Sequence, residues 1–200
     1  MKSDTIRSDL LLLLAATIWG LAFVAQRVGM DHVGPFTFNG IRFALGGLSL
    51  LPFVCISRKR TPAGSHSDLI RSGMISGVCL FAGISFQQGG IVYTTAGKAG
   101  FITGLYVVLV PILGLFLGTA RTGTGTWVGA ILASIGMYLL SVTRDLDIGF
   151  GDMLVFFSAI CFAGHIIIIE RFCTRFSTAA LSLVQCIVCS GLSLGGAAVF

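Results

Sequence analysis

The sequence predicts an all-α polytopic membrane protein, a helix bundle of inverted five-helix repeats. Three observations predict it: composition, a series of apolar segments of membrane-crossing length, and a weak internal repeat. The 200 residues are 55% hydrophobic and only 10% charged, with a mean hydropathy of +0.96, whereas a soluble domain carries about 25% charged residues. Lipid gives backbone N–H and C=O groups no partner, so a chain this apolar must satisfy them internally.

A helix rising 1.5 Å per residue needs about 20 apolar residues to cross about 30 Å of hydrocarbon. Seven segments qualify: Leu10–Gly29, Phe36–Ser57, Leu69–Val92, Ala99–Gly118, Thr126–Thr143, Met153–Ile169 and Ala179–Phe200. The first follows Lys2 and Arg7 as a signal peptide would, but it is long, lacks a convincing A-x-A site and runs directly into further spans. It reads as an uncleaved helix. Its Trp19, Phe23 and Gln26 share one face.

The second span holds Arg42 six residues inside its start. No acidic residue lies at comparable depth, so the favoured role is structural; neutralising an acidic substrate is the alternative, and Arg42 is kept as a substrate-binding candidate. The third span ends in Gln87 and Gln88, with Gln87 in line with Ser76 and Gly83. The fourth opens with Lys98 behind a polar hinge, in YTTAGKAGFITGLYVVLVP from Tyr93 to Pro111. An ionisable group at a helix centre in lipid costs roughly 2.5–3.5 kcal/mol and usually faces a cavity. Lys98 either lines a pathway or snorkels to the interface. Gly100, Gly104 and Pro111 fall on the opposite face from Lys98, Ile102, Leu105 and Leu109, so one side of this helix is expected to pack.

The sixth span aligns Ser158, Cys161 and His165, and the seventh aligns Ser182, Gln185, Cys189 and Ser193. Such stripes are either cavity linings or interhelical hydrogen-bonding seams. GxxxG spacing at Gly73/Gly77, Gly100/Gly104, Gly114/Gly118, Gly125/Gly129 and Gly191/Gly195 marks candidate close approaches, each a weak signal among 27 glycines.

Lys2, Arg7, Arg58, Lys59, Arg60, Arg71, Arg121, Arg171 and Arg175 flank one side of the membrane; Arg27, Lys98 and Arg144 flank the other. That asymmetry puts the amino terminus in the cytoplasm. The net charge of +5 is spread over helix ends and short loops, which argues against a nucleic-acid partner. Six cysteines in or beside apolar segments behave as small hydrophobes and imply no disulfide framework. His165 has no second ligand at metal spacing on its own helix, so no metal or other cofactor is expected.

At an offset of 143 residues, Asp9 aligns with Asp152, Trp19-Gly20 with Phe162-Ala163, and Arg42 with Gln185. Identity is sparse, at Asp9, Leu11, Ala16 and Leu51. With five spans in the first unit, the second enters from the opposite side, the inverted repeat of many secondary transporters. The expected units are residues 1–143 and 144–200, the second stopping after two helices. The apolar run GGAAVF at the end suggests a fragment of a ten-span protein.

The Trp19-Gly20 pair, the Arg42-Phe43 pair and above all YTTAGKAGFITGLYVVLVPILG from Tyr93 to Gly114 resemble the EamA branch of the drug/metabolite transporter superfamily. The resemblance implies ten helices in two inverted repeats, cytoplasmic termini, a central cavity, and movement of small metabolites such as amino acids or related compounds, drugs included. Helices one, three, four and six contribute to that cavity in the family, so Trp19, Gln87, Lys98, Tyr106 and His165 carry over as candidates; Arg42 and Gln185 join them from the reading of the spans.

The expected function is a secondary transporter of the bacterial cytoplasmic membrane, with the bilayer and a small-molecule substrate as partners and a homodimer left open. No Walker motif occurs, so energy is expected from an ion gradient, exchange or the substrate gradient. Two rivals belong to other classes. An intramembrane serine hydrolase would use Ser193, within GLSLG, and His165, although that motif needs a strand-to-helix elbow. A seven-helix receptor rests on helix number alone.

Overall fold

The computed structural model describes residues 2–57, 65–118, 123–141 and 148–199. Among them are eight helices: α1 (Lys2–Gly29), α2 (Pro35–Ser57), α3 (His66–Tyr93), α4 (Ala96–Gly104), α5 (Tyr106–Phe116), α6 (Thr124–Ser141), α7 (Phe150–Cys173) and α8 (Thr178–Val199). Six segments are long and apolar enough to cross a membrane, with α4 and α5 together forming one of them; the apolar stretch of α6, Thr124–Gly136, is shorter. Arg58, Lys59, Arg60, Arg121, Thr143 and Arg144, used above for orientation and boundaries, lie outside the described residues.

Local chemistry sets the helix ends. Pro35 opens α2, where its missing N–H costs nothing. Ser65 caps α3 by accepting from the Ser67 N–H, and Asp68 in the first turn complements the helix dipole. Thr95 caps α4 through its hydroxyl. Gly118, at φ 64°, takes the left-handed position that ends α5.

The centre of the bundle is α3, which makes its most extensive contacts with α7 and also packs on α8; α2 lies along α8. Glycine decides these crossings. A Cβ on Gly90 would stand 2.7 Å from the Gly151 carbonyl, and one on Gly151 would stand 2.7 Å from the Gly90 carbonyl. Gly83 faces Phe162 and Cys161, Gly73 and Gly77 face Val184 and Val188, and Gly40 and Gly47 seat Leu194 and Cys186. Of the glycine pairs expected from spacing, Gly73/Gly77 does form such a contact. Gly100, Gly125, Gly129, Gly191 and Gly195 have open space where a Cβ would go, so the packing face expected of the fourth span does not form around Gly100.

Polar seams reinforce the crossings: Cys189 Sγ donates to the Gly77 carbonyl at 3.3 Å, Cys79 Sγ to the Cys161 carbonyl at 3.4 Å, and Ser190 Oγ to the Gly40 carbonyl at 2.9 Å. Four of the six free cysteines sit inside the bundle, while Cys55 and Cys173 are exposed. A cluster of Ile91, Ala99 and Val155, covered by Phe23, Met30 and Ile102, joins the end of α1, the end of α3 and the starts of α4 and α7. The carboxyl end of α1 and the amino end of α7 therefore sit at the same end of the bundle, bridged by α3 and α4.

Candidate functional site

The polar hinge between α3 and α4 is a clasp onto the first turn of α7. Thr94 donates its hydroxyl to Asp152 Oδ1. Thr95 accepts the Lys98 N–H at 3.2 Å. Lys98 Nζ lies 3.7 Å from Asp152 Oδ2, which also accepts the Gly149 N–H at 3.0 Å. Asp152, 6% exposed, is held by backbone, hydroxyl and ammonium together, while the Lys98 side chain is 29% exposed. The close Gly90–Gly151 contact permits this geometry, and Tyr93 closes its rim edge-on to Phe150, with ring centroids 5.7 Å apart. The span prediction began at Met153 and so left Asp152 outside the helix; the observed α7 starts at Phe150 and takes Asp152 into its first turn as a capping residue.

The fourth predicted span was continuous over Ala99–Gly118; the structure interrupts it at Leu105. The Leu105 N–H bonds to the Ile102 carbonyl, three residues back, at 3.2 Å, a 3₁₀ step near the middle of the Ala96–Phe116 span. Beside it, buried Gln87 donates to Thr103 Oγ1 at 3.0 Å, and half-buried Tyr106 begins α5. Gln88 is fully buried with neither amide atom partnered, and Ser85 Oγ and Gln26 Oε1 are likewise unpaired.

The remaining candidates fall elsewhere. His165 Nε2 and Gln185 Oε1 are 2.8 Å apart, joining α7 to α8. Gln185 also donates from Nε2 to the Leu181 carbonyl at 3.4 Å, so its Oε1 faces His165, and the histidine is the donor. Arg42 Nη2 donates to Asn39 Oδ1 at 3.0 Å. Trp19 is 62% exposed. Thus Gln87 and Tyr106 flank the interruption, Lys98 lies at one end of the same span, His165 pairs with Gln185, and Arg42 and Trp19 stand apart. Asp152, Thr94 and Thr103 were missed by sequence reasoning. The offset that matched Asp9 with Asp152 singled out the aspartate as a repeat marker without giving it a partner.

The hydrolase pairing does not form. His165 is engaged by Gln185, and Ser193 lies eight residues further along α8, about 12 Å at 1.5 Å per residue. The stripe of Gln185, Cys189 and Ser193 is a buried seam, with Cys189 bonded to α3.

A bundle of long apolar helices with an ion pair and an interrupted span defines an integral, polytopic membrane protein. Residues 6–142 match the model of the EamA-like transporter family, and the chain belongs to that family. It is 35% identical to an uncharacterized transporter of Archaeoglobus fulgidus over 165 residues, 82% of this chain and 49% of that protein. It is 28% identical over 137 residues to a probable amino-acid metabolite efflux pump of Salmonella typhimurium, 67% of this chain and 42% of that one. With the uncharacterized transporter YetK of Bacillus subtilis it shares 27% identity over 132 residues, 64% of this chain and 39% of the relative. The chain spans about half the length of the curated relatives it matches. No solved structure matches it significantly.

Proposed function

We infer that the full-length protein is a secondary transporter moving small metabolites, amino acids or related compounds, across the cytoplasmic membrane by alternating access. The observation that carries this reading is the interruption of the Ala96–Phe116 span at Leu105, with Gln87, Thr103 and Tyr106 around it. The 3₁₀ step leaves the Leu105 backbone bonded, its N–H to Ile102 and its carbonyl to Val108 and Leu109, so what it offers a solute is the group of polar side chains gathered at mid-span, the depth at which transporters place their substrate. The amino-acid substrate class is favoured by the name of the Salmonella relative.

The inverted repeat is supported by two placements. α1 ends at the same end of the bundle where α7 begins, as an inverted second unit requires. α2 and α8, counterparts under the 143-residue offset, pack against each other, as two helices beside a pseudo-two-fold axis should. In this reading the amino terminus is cytoplasmic and the Lys98–Asp152 clasp faces outward.

The test is flux of a radiolabelled amino-acid panel into proteoliposomes holding the full-length protein. At least one compound should exceed protein-free vesicles, and Gln87→Leu and Tyr106→Ala should each lower that flux about tenfold without changing folded yield, a loss of about 1.4 kcal/mol at the limiting step. Absence of flux for the whole panel, in both gradient directions and under exchange conditions, would remove the reading.

A further inference from the structure

Arg42 is the eighth residue of α2, about 10 Å from the helix start at 1.5 Å per residue. Among the described residues no carboxylate pairs with it; the ion pairs are Arg27 with Asp31 and Lys98 with Asp152. Its guanidinium lies 5.7 Å from the Phe38 ring centre and 5.1 Å from that of Phe43. Aromatic rings attract a guanidinium without supplying hydrogen-bond acceptors for its five N–H groups. One of these goes to Asn39 Oδ1 at 3.0 Å. Asn39 is fully buried, and its Nδ2 donates to nothing.

Two donor groups, one of them cationic, thus sit one helical turn apart within the membrane, and neither has an anionic acceptor. Arginine cannot accept a hydrogen bond, so the Asn39 amide must keep Oδ1 toward Arg42 and turn its donors away from it. Nearby carbonyls already accept side-chain donors, Gly40 from Ser190 Oγ and Gly77 from Cys189 Sγ. An ionised side chain in a span is tolerated when it faces a pathway or is paired.

We propose that Arg42 and Asn39 form an intramembrane oxyanion-binding site that takes a carboxylate or phosphate group. The half-buried guanidinium meets the oxyanion first with its fork of N–H donors, the geometry that suits two oxygens on one centre. As Arg42 swings from Asn39 onto the ligand, the released amide turns over, exchanging Oδ1 for the unpartnered Nδ2, and supplies a second donor. The oxyanion comes from one of two sources: the carboxylate of a transported amino acid, which rests on the transporter reading, or the phosphate of a membrane lipid, which does not.

The experiment is thermal melting of the purified full-length protein in a neutral maltoside detergent, titrated with L-alanine, alaninamide, inorganic phosphate and short-chain phosphatidylglycerol. The site predicts a concentration-dependent rise in melting temperature. A response to L-alanine and not to alaninamide assigns it to a substrate carboxylate; a response to phosphatidylglycerol and not to L-alanine assigns it to lipid. Arg42→Gln and Asn39→Leu should weaken the responding probe at least tenfold, while Arg27→Gln, a cation paired elsewhere, should not. Asn39→Asp guards against variants that merely misfold: it places a carboxylate against Arg42, so it should melt higher than the parent without any probe and respond to none.

Unchanged probe affinity in Arg42→Gln, or an Asn39→Asp protein that responds like the parent, would overturn the site, as would a parent that responds to none of the four. Probe binding that depends on Arg42, found alongside absent flux in proteoliposomes, would retain the site and remove transport. Flux with Arg42-independent binding would do the reverse.

Discussion

Substituting Gly90 by alanine tests whether backbone contact between α3 and α7 positions the clasp. The new Cβ would sit 2.6 Å from Val155 Cγ2, 2.7 Å from the Gly151 carbonyl oxygen and 3.1 Å from the Val155 nitrogen. Val155 can rotate its side chain, but the two backbone atoms belong to a helix and cannot. Restoring ordinary contact near 3.4 Å requires the helices to part by about 0.7 Å, a gap that forfeits a quarter to a half of the dispersion energy of facing atoms. Overpacking of this kind costs about 1–3 kcal/mol. Alanine returns part of it, because it is a better helix former than glycine by about 1 kcal/mol.

The expected net loss for Gly90→Ala is about 0–2 kcal/mol, which at about 2–4 °C per kcal/mol for a chain of this size lowers the melting temperature by up to about 8 °C, and sets it about 1–3 kcal/mol below a glycine-to-alanine change in open space. Gly125→Ala and Gly129→Ala have open space and keep only the propensity gain, so they should melt at or slightly above the parent. The assay is the fraction of detergent-solubilised full-length protein that stays monodisperse after a heating series. A Gly90→Ala protein that melts with the Gly125→Ala control would refute the contact and the placement of the clasp built on it.

Three further outcomes follow from the geometry. In a double-mutant cycle of Asp152→Asn and Lys98→Met, melting should show a coupling of about 1 kcal/mol, since the pair is partly buried; additive effects would mean that the charges do not interact in the folded protein. Thr95→Ala should destabilise by about 1 kcal/mol through loss of the α4 cap while Thr95→Ser is near neutral, and equal melting of the two would remove the capping role. Serine-reactive fluorophosphonate should label the parent no more than Ser193→Ala; labelling confined to the parent would revive the hydrolase reading.

Six of the seven predicted spans coincide in place with observed helices of crossing length, because apolar composition over twenty residues is a strong signal that needs no tertiary knowledge. Lys98 was equally visible, as an ammonium among apolar residues. Its partner was not. Asp152 lies 54 residues further along and reaches Lys98 only because Gly90 and Gly151 bring two helices to backbone contact, a pairing that no local pattern records. The glycine signal misled in the opposite direction, since Gly191 and Gly195 share the motif spacing of Gly73 and Gly77 yet face open space. The step at Leu105 was hidden because leucine is a strong helix former and the adjacent Gly104, where α4 ends, was read as a packing glycine of GxxxG spacing and not as a break; Pro111, six residues later, lies inside α5.

The distribution of sulfur gives this protein a native reporter of its own sidedness. Cys79, Cys161, Cys186 and Cys189 are sequestered in the bundle or at its seams, and Cys55, though exposed, is followed by Ile56 and Ser57 before α2 ends. Cys173 is different: it is exposed at the last residue of α7, beside Glu170 and Arg171, where the chain leaves the hydrocarbon for water. Thiolates form in water and not in lipid, so a charged, impermeant maleimide should find Cys173 first. Labelling sealed vesicles from one side and then the other would therefore orient the chain without an engineered probe, with every native helix contact left intact.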